Sequence, residues 1–575
     1  MFARLLLPTL LSVSIAFAST ENATLPSESP PSPAATARTW SPRDFGAVAD
    51  GQTLDTAAIQ GAIDAAHAAG GGLVTLGAGT YLSGSLRLLS GVTLHLDAGA
   101  TLLGSPHIAD YRRGNWPALI LARDQDNVAI TGTGVIDGQG TAVAADTIRL
   151  YESGDHLAFF PGLKEGERVF TGIGTDQQPW IDPHAMQRAG TLAARVAPRS
   201  REDVATWRVD EFVRPQLLEF WQCRGVRVSG ITLRHAANWV QTYRECDDVT
   251  IRGVRVESVT YWNNDGLDLV NSRRVLIEDC DIDAADDGIC LKSDPSPTGQ
   301  LCEDITVRRC RIRSSASAFK LGTASHHGFR RIRVEDLAIH DTYRSAVALE
   351  TVDGGVLEDI CISRIQARHT GNALFLRIGQ RNTAKAPGTL RHVVIEDLDV
   401  DVPATKPDAG YPHEGPPLKL PVNVIPSSIA GLPDRPVEDV VLRNIVIRYA
   451  GGGDPTRAAV PLDALGTVPE KRENYPEFSV FGELPAWGLY VRHARGVRLE
   501  NVRLIQTAAD YRPALVADRS ADLTFVGGSI TAVSHEPPAI VLAGATATGL
   551  DSLALPAAAR EKIRTLPAPA AGPTP

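Results

Sequence analysis

Methionine and aromatic side chains are scarce: the 575 residues include 2 Met, and Phe, Trp and Tyr together make up 6%. With 51 Gly alongside, that shortage points to many tight turns and away from a helix bundle. Positive charge is not in excess either. Lys and Arg number 57 against 67 Asp and Glu, a net charge of −10, so the basic footprint of a nucleic-acid binder is missing. After residue 18 no stretch approaches eighteen consecutive apolar residues, so no later membrane span is expected. Neither a CxxC…CxxC pattern nor a His/Cys spacing is present to hold zinc; no metal and no cofactor is expected. Seven cysteines, all between Cys223 and Cys361, are an odd number that excludes complete internal pairing. What is present is ordinary for a folded chain: 43% hydrophobic and 22% charged residues rule out both disorder and a polytopic membrane protein.

The first 18 residues carry Arg4, an apolar run and small residues at Ala16 and Ala18, the pattern of a secretory signal cut near Ser19. A retained anchor is the alternative, disfavoured by the shortness of the run. Residues 19–39 are rich in Ser, Pro, Thr and Ala and read as a disordered linker; 556–575 read as a C-terminal tail. A secreted or periplasmic protein is expected, monomeric and without a membrane span once the signal is removed.

Most of the remaining chain repeats itself. The pattern apolar-x-apolar-x-x-(apolar or small)-x-apolar recurs as VRVSGITL, VTIRGVRV, VLIEDCDI, ITVRRCRI, IRVEDLAI and onward to LTFVGGSI. Its sixth position is Ile231, Val254, Cys280, Cys310 and Leu337, in steps of 23, 26, 30 and 27 residues, then Leu398, Ile445, Val502 and Gly528. Short bent strands at that period, with no helices between them, predict stacked coils about 4.8 Å apart. The fold class expected is all-β: a right-handed parallel β-helix, a pectin-lyase-like solenoid. An antiparallel sandwich would need regular two-residue hairpins, which are missing. Residues 55–69 have helical spacing and are followed by GGG, so a short N-terminal helix should cap the open end of the stack. One domain is expected over 40–555, with insertions near 139–215, 403–436 and 452–486. Cys280 and Cys310 should be stacked interior neighbours, as buried thiols or as a disulfide.

The opening DFGAVADGQTLDTAAIQGAIDAA, then GVIDGQG (134–140), RPQLLEF (214–220), NNDGLDL (263–269) and VLIEDCDIDAADDGICLKS (275–293), resemble polygalacturonase-type proteins, glycoside hydrolase family 28. By that resemblance, Asn263, Asn264 and Asp265 answer to a first family motif, NTD, and Asp286 and Asp287 to a second, DD. The third motif, GHG, falls on Ala316-Ser317-Ala318, without its histidine. The fourth, RIK, falls on Ala348-Leu349-Glu350, without either base. In the family those two motifs help bind a uronate carboxylate.

The aspartates also speak physically. Asp265 and Asp286 are 21 residues apart, close to one coil, which places them on neighbouring rungs with Asp287 beside them. Crowded carboxylates cannot all ionise freely, so one should stay protonated as an acid while the others activate water. With about 6.5–9.5 Å between acid and base, a glycosidic bond is cleaved with inversion. The resemblance makes Asp286 the acid and Asp265 with Asp287 the water activators. The competing reading is plain Asx-turn structure at the bends. Asn263 is a candidate substrate ligand; Lys292 and Lys320 are candidates to hold an anionic sugar or to favour ionisation of a neighbouring Asp, and Arg377 to grip a carboxylate. Glu350 would pair with Lys320 or accept from a neutral sugar. His326 would supply a displaced imidazole, and Trp239 a stacking platform. The expected function is an exported, inverting glycoside hydrolase acting on pectin-type or related acidic polysaccharide. A polysaccharide lyase and a non-catalytic glycan-binding β-helix are the alternatives on the same fold.

Overall fold

The computed structural model describes residues 38–111, 117–153, 170–172, 207–209, 214–415, 420, 424–458, 460–534 and 536–569. The expected signal segment, nearly all of the 19–39 linker and most of the 139–215 insertion lie outside them.

Coil after coil, a strand pairs in parallel with its counterpart one turn later. Gln241–Arg244, Asp247–Arg252 and Arg255–Ser258 lie in register with Leu267–Val270, Arg273–Glu278 and Asp281–Ala284. Thirty-six strands join this way into one sheet, so the chain is a parallel β-helix. The expected marker positions share one interior column, from Ile231 through Val254, Cys280, Cys310, Leu337, Ile365, Leu398, Ile445 and Val502 to Gly528. Beside it runs a second column: Ile251, Ile277, Val307, Val334, Ile362, Ile395, Leu442, Leu499 and Phe525, all at most 4% exposed. Each such side chain contributes about 1.5–3 kcal/mol when removed from water, and no coil can cover its own.

Between strands the chain turns through left-handed residues stacked in a column: Asp279, Arg309, Asp336, Arg364, Asp397, Asn444 and Asn501, with φ between 51° and 57°. That conformation costs a non-glycine residue about 1–2 kcal/mol. Cross-rung bonds offset it. Arg309 grips Asp279, Arg364 grips Asp336, and Asn501 donates to Asn444, which donates to Asp397.

The capping helix, Thr56–Ala68, buries Ile59, Ala62, Ile63 and Ala66. Asp55 before it accepts from Val48 N and Ala49 N at 2.8 and 2.9 Å, fastening the preceding turn to the helix start. Three details differ from expectation. A helix, Gly140–Ser153, opens the first insertion. Ser427–Ala430, inside the expected 403–436 insertion, is a rung pairing with both flanking coils. Arg564–Leu566 pairs with 541–543 and carries the stack past Leu555. All seven cysteines are free thiols; Cys280 and Cys310 are stacked interior neighbours without a disulfide.

Candidate active site

The rungs Leu267–Val270, Ile289–Ser293 and Phe319–Ser325 build the site. Leu267 pairs with Ile289 and Ile289 with Phe319, so Asp265, Asp287 and Ser317, each two residues earlier, stack in one column at the bend. Asp286 N donates to Asn264 O and Arg344 N to Ala316 O, which defines the adjoining column Asn264, Asp286, Ala316, Arg344. One oxygen each of Asp265, Asp286 and Asp287 lies within 4.8 Å of the others. The glycines after these acids serve close packing. A side chain at Gly288 would strike Ile312 and the Ala318 carbonyl, and its φ is not left-handed.

The outward face carries Asp268 on one rung and a lysine on each of the next two, Lys292 and Lys320. Asp268, Cys290 and Lys320 form one column and Val270 and Lys292 the next. Lys292 Nζ donates to Asp265 Oδ2 at 2.8 Å and to Asp268 Oδ1, with the indole of Trp239 4.3 Å below it. Burial alone would strip the Lys292 proton; Asp265 and Asp268 keep it in place. Burial pushes the Asp268 carboxyl up to about 6, and pushes Asp265 well above the usual range, where Asp268, Asp286 and Asp287 add repulsion. Asp265 and Asp268 thus both shift upward while sharing one lysine. Asp287 is the opposite case. Burial would raise it, but Lys320 Nζ at 3.0 Å, Lys292, Arg344 and the Ser317 N–H at 3.0 Å hold its carboxyl below the usual range. Asp286 is half-buried, and one of its oxygens accepts from Asp287 N at 2.9 Å.

Other expected residues divide. Glu350 lies in the Lys320 field, accepts from Thr323 Oγ1 at 3.2 Å, and is pushed by burial up to about 7. Asn263 accepts from Arg214 Nη2 at 2.8 Å, bracing the bend, while the fully buried Asn264 bonds Ala236 O, Asn238 O and Ser258 Oγ. Arg377 does not reach the groove. It is 2% exposed, donates to the carbonyls of Gly431, Glu470 and Lys471, and lies over Phe481. It anchors the 452–486 insertion, because buried guanidinium N–H groups need acceptors. His326 approaches Asp353 at 3.9 Å, and Asp353 is chelated by Arg381 at 3.0 and 2.6 Å. Trp239 is 8% exposed and serves as a floor under Lys292.

Sequence reasoning missed three side chains. Arg344 lies on the Asp286 column with Ala316 between them, and ion-pairs with Glu477 at 3.0 Å. Tyr475 brings its hydroxyl to 3.4 Å from Lys320 Nζ. Tyr475 and Glu477 arrive from an insertion that obeys no repeat; the only signal for Arg344 was the run of small residues Ala316-Ser317-Ala318 where the family has GHG. Cys290, unlike Cys280 and Cys310, takes a rung position on the outward face, packed against the Gly322 carbonyl.

The model of the glycosyl hydrolases family 28 matches residues 200–342, and that of rhamnogalacturonase A/epimerase, pectate lyase-like, matches 41–107. An exo-poly-alpha-D-galacturonosidase of Dickeya chrysanthemi is 29% identical over 264 residues, 43% of this chain and 40% of that one. A sequence named "Probable polygalacturonase" from Vitis vinifera is 26% identical over 346 residues, 56% of this chain and 58% of that one. The chain thus spans about half the length of these curated relatives. The solved hyperthermoactive exopolygalacturonase of Thermotoga maritima shares the fold at TM-score 0.52 and 23% identity, over 72% of this chain and 87% of that one. With the motif order, the stacked aspartates and these matches in agreement, the chain is polygalacturonase-like, similar to glycoside hydrolase family 28 over residues 200–342.

Proposed function

We propose that the protein hydrolyses O-glycosidic bonds of a pectin-type polysaccharide, after export to the periplasm or medium. The observation that carries this reading is the clustering of Asp265, Asp286 and Asp287, whose oxygens lie within 4.8 Å of one another on neighbouring rungs, with Lys320 on Asp287. Asp286, half-buried and facing outward, donates the proton to the leaving oxygen. Asp287, held ionised by Lys320, takes the proton of a water positioned with Asp265. The oxygen spacing is shorter than the separation of about 6.5–9.5 Å usual for inversion. Inversion therefore rests on the family resemblance, and NMR of the first-formed anomer tests it.

Cleavage from a chain end is part of the proposal. On the outward face, the columns of Asp268 and Lys320 continue through Phe375, Tyr490 and Val516, and there Leu465, Val468, Phe478 and Phe481 cover them. This wall comes from the 452–486 insertion; the wall expected from 139–215 falls largely outside the described residues.

The test is reducing-end release from a panel of pectic and neutral glycans by the wild type and Asp286→Asn. Release by the wild type that is abolished in the variant supports hydrolysis. Accumulation of an unsaturated, ultraviolet-absorbing product rejects it in favour of a lyase. Mixed long oligomers at early times reject chain-end cleavage.

A further inference from the structure

Hydrolysis at the aspartate cluster leaves open which side chain holds the sugar beside it, and any such assignment rests on the hydrolytic reading. Arg344 shares the column of Asn264, Asp286 and Ala316, two rungs beyond Asp286, or about 10 Å of backbone. Within that column only the methyl group of Ala316 stands between Arg344 and Asp286. Burial works against the Arg344 charge, but Glu477, Asp286, Tyr475 and Asp287 together hold the guanidinium above its ordinary value. It stays a cation.

Its donors are only partly used. Nη2 lies 3.0 Å from Glu477 Oε1, whereas Nε is buried and has no hydrogen-bond partner among the described residues. A buried N–H left unmet costs about 1–3 kcal/mol, so this edge suits an acceptor that arrives from outside. Guanidinium donors grip a carboxylate in two parallel bonds. Glu477 shows that this edge accepts a carboxylate: it comes from the 452–486 insertion, is 27% exposed, and occupies one of the donors.

The neighbouring cations are placed differently. Lys292 and Lys320 put their ammonium groups on Asp265, Asp268 and Asp287. Arg214 and Arg377 are at most 2% exposed and turn to carbonyl oxygens within the fold. Tyr475, two residues before Glu477 and 44% exposed above Lys320, offers an apolar ring face to sugar C–H groups.

We propose that Arg344 is the specificity-determining residue for an acidic substrate: its Nε edge takes the carboxylate of a uronate ring beside the scissile bond, and Glu477 stands in for that carboxylate in the free enzyme. On binding, the sugar carboxylate satisfies Nε and competes with Glu477 for Nη2, and the ring lies against Tyr475. Arg344 thereby supplies, from four residues earlier, the charge missing at Ala348 and Glu350.

The test is calorimetry with galacturonate oligomers and their carboxyl-reduced counterparts, using folded Asp286→Asn so that nothing is cleaved. The same background then carries Arg344→Gln, Arg344→Lys or Glu477→Gln. Asp286→Asn should bind the galacturonate oligomer at least tenfold more tightly than the reduced one. Arg344→Gln should shrink that preference at least fivefold. Arg344→Lys should recover only part of it, because an ammonium lacks the planar fork. Glu477→Gln should tighten galacturonate binding at least threefold. The inference is overturned by no preference in Asp286→Asn, by a smaller change in Arg344→Gln, by equal weakening of both oligomers, or by Glu477→Gln without tighter binding. Should Arg344→Gln fail to fold, Arg344→Lys and Glu477→Gln decide it. Turnover is read separately. A wild type that releases no reducing ends but keeps the Arg344-dependent preference sinks the hydrolytic reading and supports this one; hydrolysis of homogalacturonan without that preference does the reverse.

Discussion

Asp265 and Asp287 occupy the same bend position on neighbouring rungs, yet burial shifts the first carboxyl upward while Lys320 shifts the second downward. Asp287 receives a lysine and a backbone N–H for itself; Asp265 shares Lys292 with Asp268. Division of labour here is decided by how many carboxyls divide each lysine.

Removing Lys320 exposes that arrangement. In Lys320→Met the Asp287 carboxyl loses the cation that lowers it, so its pKa rises. The acidic limb of kcat/KM against pH then moves to higher pH. An unmoved limb, measured on any turned-over substrate, means Asp287 is not the group that must ionise. The variant also leaves a buried carboxyl unpaired, at about 3–5 kcal/mol of stability.

Asp286→Asn and Asp287→Asn should each lower kcat by about 10²–10⁴-fold while the unfolding midpoint stays near that of the wild type for Asp286→Asn. Among the described residues Asp286 is the member of the cluster without an ion pair, so its loss orphans no described cation. Wild-type turnover in Asp286→Asn removes it from the chemistry.

Glu350 and Glu219, both raised by burial to about 7, make stability depend on pH. Between about pH 4.5 and 7 the folded chain holds protons that the unfolded chain has released, so stability falls as pH rises through that window. Glu350→Gln should lose less stability than the wild type between pH 5 and 8, by on the order of 1–3 kcal/mol. Urea midpoints at the two pH values check it; an equal loss in both proteins contradicts a buried, protonated Glu350.

Ile362→Ala, in the middle of the second interior column, should destabilise by about 2–5 kcal/mol, because neighbouring rungs are fixed by their backbone ladders and cannot collapse into the cavity. Denaturant titration measures it.

Thiol counting tests the unpaired cysteines. Ellman's reagent should find seven thiols in the unfolded chain and at most Cys361 in the native one, since the other six are buried. A deficit in the unfolded count reveals a disulfide.

The repeat was legible because rungs stack in register: every marker residue from Ile231 to Gly528 lies in one column, and the 21-residue step from Asp265 to Asp286 announced neighbouring rungs. Lys292 and Lys320 were legible for the same reason. Arg377 was misjudged because its rung is covered, and nothing in FLRIGQR reports a covering segment. Tyr475 and Glu477 were invisible because an insertion has no period to place it. Cys290 shows a subtler limit: one alternation separates the groove face from the core, and a cysteine suits both.

The insertion that supplies Tyr475 and Glu477 is itself pinned by Arg377 and by Arg492, which donates to Val468 O and Glu470. Arg492 belongs to Leu489–Arg492, a rung made long after the aspartates have left the ribosome. The candidate site is thus completed late in synthesis. A chain truncated before that rung would own all three acids and the insertion, and still lack the Arg492 clamp that pins the insertion in place.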